Sequence, residues 1–283
     1  MALLLAQALT ESPASAAPLD PTARGGRGVA SVTYDLGDRA YRLPETGEPV
    51  EMAAIVHYPK DLGTTPRPLV VQLHGWHETC ADRSAEAACD AAERAGDWDA
   101  YAASQKLFSW PCAPGTRPIA NERGYDYLGE ELAAHGFIVV SIRANGINAS
   151  SVTGDGNASA RADLIDRHLA LWQKLNASGR GGLGGAFRDA VTGKPQRVDF
   201  HRFEMPGANH NYFNTQWSPA GGQVAARDDA GHDDARPGQC TEPGGSAYET
   251  QLSESAQRHA GAAYITAFFQ RYLTDHGESQ APH

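Results

Sequence analysis

Cysteine is scarce in this chain, and none of it stands at metal-ligand spacing. The four cysteines, Cys80, Cys89, Cys112 and Cys240, include no Cys-x-x-Cys, which excludes the common zinc-ribbon and thiol-redox patterns. A surplus of positive charge is missing as well. Twenty-four Lys and Arg against 34 Asp and Glu leave a net charge of −10, which argues against nucleic acid or an anionic membrane as partner. No apolar run approaches the ~20 residues of a membrane span. Phosphate loops are absent too: Gly193-Lys194 stands without the other Gly and the Ser/Thr of such a loop. Gly179, Gly181 and Gly184 match a dinucleotide motif formally. A helical pattern precedes them where that motif needs a strand, so they read as a linker and no cofactor is expected.

What is there suits a globular chain. At 283 residues it is long enough for one large α/β domain, 41% apolar residues supply a core, and 30 Gly and 17 Pro imply many loops. Residues 1–27 read as a leader. Ala2 to Leu9 is apolar and Ala14-Ser15-Ala16-Ala17 resembles a small-residue cleavage site, although no basic stretch precedes them. Secretion is the expectation from this feature and the cysteines together. Cys80–Cys112 is the preferred disulfide, closing an insertion; free buried thiols are the alternative, and Cys89 and Cys240 are left unassigned.

Hydrophobic period organises the rest into one domain over 28–273, with 274–283 as a tail. Val29 to Leu36 and Met52 to Tyr58 read as strands of a hairpin or meander. Leu69 to Leu73 is a buried parallel strand turning sharply at His74-Gly75. Ala81 to Lys106 is helix-compatible but weakly patterned. A helix opens at Gly124-Tyr125-Asp126-Tyr127-Leu128 and stops at His135-Gly136. Phe137 to Ile142 is a fully apolar interior strand running into a loop over Arg143 to Asn148. Ala160 to Leu175 is helical, with Leu164, Ile165, His168, Leu169, Trp172 and Leu175 on one face. This alternation indicates a doubly wound, mostly parallel sheet.

Residues 178–200 then read as linker, Arg197 to Pro206 as a further strand, and 220–250 as a polar surface loop. Within that loop Asp228, Asp229, His232, Asp233 and Asp234 lack the Gly-spaced alternation of a calcium loop and read as a solvated face, so no metal is assigned. Calcium binding there is the reading from a different functional class. Ser253 caps a last helix whose stripe is Ala260, Ala263, Tyr264, Ala267 and Phe268.

Five strings resemble, in order, those of secreted bacterial α/β-hydrolases related to dienelactone hydrolases, chlorophyllases and polyester-degrading esterases. They are His74-Gly75…Cys80, Trp110-Pro111-Cys112, Gly124-Tyr125-Asp126-Tyr127-Leu128-Gly129, Ala144-Asn145-Gly146-Ile147-Asn148 and Gly207-Ala208-Asn209-His210-Asn211. The resemblance covers Val29 to Leu175 and His201 to Leu273. It implies the α/β-hydrolase fold and hydrolysis of a small or polymeric ester by acyl transfer to a serine. In that scheme His74-Gly75 ends the third strand, and Gly75 and Trp76 form the oxyanion hole through the Trp76 N–H, with Trp76 also lining an acyl or aromatic pocket. His210, in a loop after a strand-like run, is the general base.

The family's nucleophile is a Ser on a Gly-x-Ser-x-Gly turn, with an Asp later in the chain, and this sequence has no Gly-x-Ser-x-Gly anywhere. By resemblance a block holding strands five to seven, the Ser and the acid is missing between Phe200 and His201, so the fold is expected to be truncated. Ser141, Ser109 and Ser246 are not on strand-to-helix elbows. A triad without its nucleophile keeps only about 10³–10⁴-fold acceleration over water. The alternatives are an ester hydrolase by ancestry, a catalytically silent relative that binds a ligand, or merely an internally deleted product.

Overall fold

The computed structural model describes residues 23–63, 67–82, 85, 87–88, 91–92, 95–103, 108–178, 212–218 and 252–273. Their strands are β1 (Val29–Asp35), β2 (Tyr41–Arg42), β3 (Pro49–Val50), β4 (Ala53–Pro59), β5 (Leu69–Leu73), β6 (Cys80–Ala81), β7 (Arg117–Pro118) and β8 (Ile138–Ile142). The helices are α1 (Trp98–Ala103), α2 (Asp126–Ala134), α3 (Asn145–Asn148), α4 (Ala158–Ser178) and α5 (Glu254–Leu273).

The main sheet has the order β1-β4-β8-β5. β1 pairs antiparallel with β4, β4 antiparallel with β8, and β8 parallel with β5. The sheet is therefore mixed, not mostly parallel as the alternation suggests. The first two long strands run as a meander, interrupted by the small β2–β3 hairpin, and only the β5–α2–β8 unit makes a parallel crossover. The expected α/β class holds at that level. Among the described residues β5 is an edge strand, with β8 on one side and no strand on the other.

β8 reads Ile-Val-Val-Ser-Ile and is buried throughout because helices cover both faces. On one face Ile138, Val140 and Ile142 join Val56, Leu164 and Trp172 under α4. On the other, Phe137 and Val139 join Val70, Leu128 and Leu132, with Ala262, Ile265 and Phe269 of α5 packed against them. Burying each such aliphatic side chain contributes about 1.5–3 kcal/mol, which makes β8 the anchor of the sheet. α2 ends at Gly136, whose φ of 104° lies in the left-handed region that glycine adopts without strain. His57, buried in β4, ties the sheet to the first turn of α2 through its Nε2 and Asp126 Oδ1 at 3.1 Å.

α4 spans the predicted helix and buries the predicted face. His168 packs there as a core histidine, its Nδ1 accepting from the Tyr34 hydroxyl at 2.5 Å. The last helix begins as expected, the Ala256 N–H donating to Ser253 Oγ at 3.2 Å. Its buried side is not the predicted stripe. Gln257, Gly261 and Thr266 are buried, while Tyr264 is 55% exposed and Phe268 stacks on Phe269 and Tyr272. Apolar residues surround this helix on nearly every side, so its period gave no single direction, and the small surface of Gly261 decided the docking. A Cβ there would come within 2.7 Å of the Phe213 ring.

Candidate functional site: the tip of β5 and β8

Parallel strands β5 and β8 end together, and in open α/β sheets ligands bind outside such carboxyl ends. β5 runs into His74-Gly75-Trp76-His77, and β8 into Arg143-Ala144 and α3. The expected loop over Arg143 to Asn148 is thus a turn of helix. Buried Glu51 organises it from outside, accepting the Asn145 N–H at 2.6 Å and the Gly146 N–H at 2.9 Å. Position 146 needs glycine, because a Cβ would sit 2.7 Å from Glu51 Oε2 and 2.9 Å from the Val50 Cα. Burial pushes the Glu51 carboxyl up to about 7, opposed by those N–H donors and by Arg143.

His74 is fixed as a neutral ring. Its Nδ1–H donates to the Gly75 carbonyl at 2.9 Å, so Nε2 is the acceptor that takes the Ala144 N–H at 2.9 Å. Burial, with the Gly75 bond in opposition, holds its pKa down at about 3. With its accepting nitrogen occupied, His74 is a staple between the two strand tips and not a proton acceptor for a ligand.

Asparagines complete the tip. Asn148 Nδ2 donates to the Gly75 and His77 carbonyls at 3.1 and 3.0 Å, gripping the loop on both sides of Trp76. The Trp76 indole N–H reaches the Asn148 carbonyl at 3.1 Å. Arg161, from α4, donates to the His74 carbonyl at 3.0 Å and to Asn148 Oδ1 at 2.5 Å. A second knot lies behind. Asn145 Nδ2 donates to the Thr79 and Ile119 carbonyls at 3.2 and 2.9 Å, and its Oδ1 accepts from Asn121 Nδ2 at 2.9 Å. Asn121 also donates to the Glu78 carbonyl at 2.8 Å and accepts from the Trp217 indole at 2.6 Å. Both buried amides are fully used, the condition under which a polar network rigidifies a site.

The predicted disulfide is formed: Cys80 is bonded to Cys112, with Cα atoms 5.6 Å apart. It holds the 108–112 segment against the end of the His74 loop, where Thr79 Oγ1 donates to the Ser109 carbonyl at 2.8 Å. Phe108 is thereby brought flat against Trp76, ring centroids 4.5 Å apart and planes 15° from parallel.

Leu73, His74, Gly75, Trp76, Val152, Gly156, Asn157 and Arg161 line an open groove of about 530 Å³. Gly75 and Trp76 therefore lie on one surface, and Trp76 lines the groove with 59% of its surface exposed. Among the described residues the Trp76 backbone N–H has no hydrogen-bond acceptor.

His210 lies outside the described residues, as do Cys89, Cys240, the strand-like 197–206 segment and the acidic run 228–234. The chain two residues after His210 is anchored beside the tip. Tyr212 is buried and its carbonyl accepts from Arg258 at 3.0 Å, and Trp217 stacks on His77 with centroids 4.8 Å apart. Of the alternative serines, Ser141 is enclosed within β8 with its Oγ unpartnered, and Ser246 is outside the described residues. No group of three or more His, Cys, Asp or Glu able to hold a metal occurs among the described residues, and no described helix is long and apolar enough to cross a membrane.

Sequence reasoning singled out the strings holding Asn145 and Asn148 but gave them no role, and it missed Arg161, Glu51, Asn121 and Trp217 as members of the site. The two Asn at i and i+3 on a short helix after an apolar strand were the available signal. The contacts of Glu51 and Trp217 span 94 and 96 residues and left no local trace. No protein-family model matches this chain, and no curated protein sequence matches it.

Proposed function

We propose that this chain is an α/β-hydrolase-type protein, secreted and of ester-hydrolase ancestry. It keeps the oxyanion side of the site and binds an ester or acyl ligand in the groove at Trp76 without a serine elbow of its own. One observation carries the reading: the third strand of the main sheet in chain order, β5, ends on His74-Gly75, held by three hydrogen bonds from Ala144, Asn148 and Arg161 beside a groove that Trp76 lines. Such preorganisation has a use where charge or a carbonyl oxygen must be met by a fixed N–H, since the donor then needs no reorientation. The open edge of β5 among the described residues supports the loss of the block that would carry the serine. The disulfide supports an oxidising compartment.

The test is paired. Incubation with a fluorophosphonate should give no covalent adduct by intact mass, and p-nitrophenyl butyrate should turn over no faster than with heat-denatured protein. Calorimetry should nonetheless detect binding of the ester, weakened at least about tenfold in Trp76→Ala, the scale of a lost aromatic anchor. An adduct on one serine that disappears in His210→Ala would replace silent binding with catalysis. No binding of any ester would end the proposal.

A further inference from the structure

Among the described residues, Arg161 is the one cationic side chain that lines the groove, and it bears on what kind of ligand suits it. Arg161 is half-buried on the first turns of α4 and lines the groove. Its two protein bonds go to neutral acceptors, the His74 carbonyl and Asn148 Oδ1. A guanidinium has five N–H donors, so these leave capacity for a further acceptor. Three other half-buried arginines, Arg143, Arg167 and Arg258, have carboxylates, whereas Arg67 donates to the Leu62 carbonyl and lies outside the groove. Arg143 grips Glu122 through two bonds and approaches Asp35 at 3.6 Å, and Arg258 faces Glu254 at 3.9 Å. Among the described residues Arg161 has none. Burial lowers its pKa. A charge half withdrawn from water without a counter-charge is costly, and an anion entering the groove would relieve that cost.

Apolar residues line the same groove. Trp76, stiffened by its indole bond to Asn148 and by the stack on Phe108, presents a flat face, and Val152 is 73% exposed. Among the described residues no Asp or Glu lines the groove.

We propose that the groove takes a monocarboxylate with an apolar body, its carboxylate on Arg161 and its aromatic or acyl part against Trp76 and Val152. The inference rests on the ester-binding reading and narrows it: the preferred ligand is an acid, or the free-acid end of a half-ester, which binds more tightly than a neutral ester. Arg161 has two tasks here, bracing the His74 loop and meeting the anion, and the two can be separated.

Calorimetry with 4-phenylbutyrate and with neutral 4-phenylbutyramide at pH 7 provides the test. The acid should bind at least about tenfold more tightly than the amide, the order expected of a charge-assisted hydrogen bond, and added salt should weaken the acid alone. Arg161→Gln keeps a donor for the loop and removes the charge, so it should abolish the preference, the acid losing at least about tenfold more affinity than the amide. Arg161→Lys should keep part of it. Equal affinity for acid and amide in the unaltered protein would overturn the inference while leaving ester binding intact. Equal loss for both in a folded Arg161→Gln, verified by circular dichroism, would show a bracing role only and overturn it too. Failure of the acid, the amide and methyl 4-phenylbutyrate alike would sink the ester-binding reading itself.

Discussion

At one side of the main sheet, Val56, Ile138, Val140 and Ile142 are wholly removed from solvent between helices, whereas on β5 only Val70 is buried. The first region is held by apolar packing and contains few polar contacts beyond its own ladder. The second, at the tip of β5, is held by a carboxylate, three asparagines, an arginine, a neutral histidine and a disulfide. Strands with neighbours on both sides need no further fastening, because burial of their side chains already exceeds the ordering cost. A strand at an edge forgoes half of that contact, and its end stays in one conformation only if specific bonds hold it. Polar knots are poor sources of net stability but good sources of a unique geometry, which is what a binding loop requires.

Four substitutions or conditions break this contrast in graded ways. Phe137→Ala, at 1% exposure between β8, α2 and α5, should cost about 3–5 kcal/mol in urea unfolding through cavity formation. Ligand affinity of the folded fraction should not change, and a change would mean that core and tip are not separable. Cys80→Ser with Cys112→Ser opens a loop closed across 32 residues. Loop-closure entropy puts the cost at about 3–4 kcal/mol, and affinity at the groove should fall as well, since Phe108 loses its tether to Trp76.

Asn145→Ala removes its amide's bonds to the Thr79 and Ile119 carbonyls and to Asn121 Nδ2, each of which keeps one other bond in the knot. It should cost about 2–3 kcal/mol, with the larger proportional effect on ligand binding. Unchanged binding in that variant would show that the knot behind Trp76 does not set the loop.

Protonation gives the smallest and most graded effect. His74 at about 3 and His168 at about 4 are both depressed in the folded state by burial. Each therefore contributes stability that is present above about pH 6.5 and lost as pH falls toward its folded value. Glu51, raised to about 7, acts in the opposite sense. Its contribution is fully present below the ordinary carboxylate value of 4.5 and lost as pH rises through 7. Two groups against one make the net effect of acidification from pH 6.5 destabilising, by at most about 1.4 kcal/mol per pH unit while one proton is in excess. Below 4.5 Glu51 no longer compensates. Urea midpoints at pH 7, 5.5 and 4.5 should fall in that order, and a midpoint that rises on acidification would contradict the assignment of both histidines as neutral core groups.

Much of the frame is legible locally. Phe137 to Ile142 could only be an interior strand, having no polar side chain except Ser141. Leu69 to Leu73 with its His-Gly stop, the α4 face through Leu164, His168 and Trp172, and the Ser253 cap all follow from period and capping, while the Cys80–Cys112 bond is the pairing preferred over free thiols and is formed. Strand direction did not. The antiparallel placement of β4 between β1 and β8 depends on which chain segments reach one another across 80 or more residues, and alternation of strands and helices is silent on that. The docking face of α5 failed for a related reason: with apolar residues all round, it was chosen by the fit of Gly261 to Phe213.

The sequence by itself determined which segments become strands and helices, that His74-Gly75 closes one of them, and that no elbow serine is present, because each of these is a property of neighbouring residues. Only the tertiary structure decided that Glu51, Asn121, Arg161 and Trp217 converge on the same strand tip. Hydrogen-bonded side chains reach across the fold with no period to announce them, and their pairing exists only once the backbone has brought distant carbonyls and amides within about 3 Å.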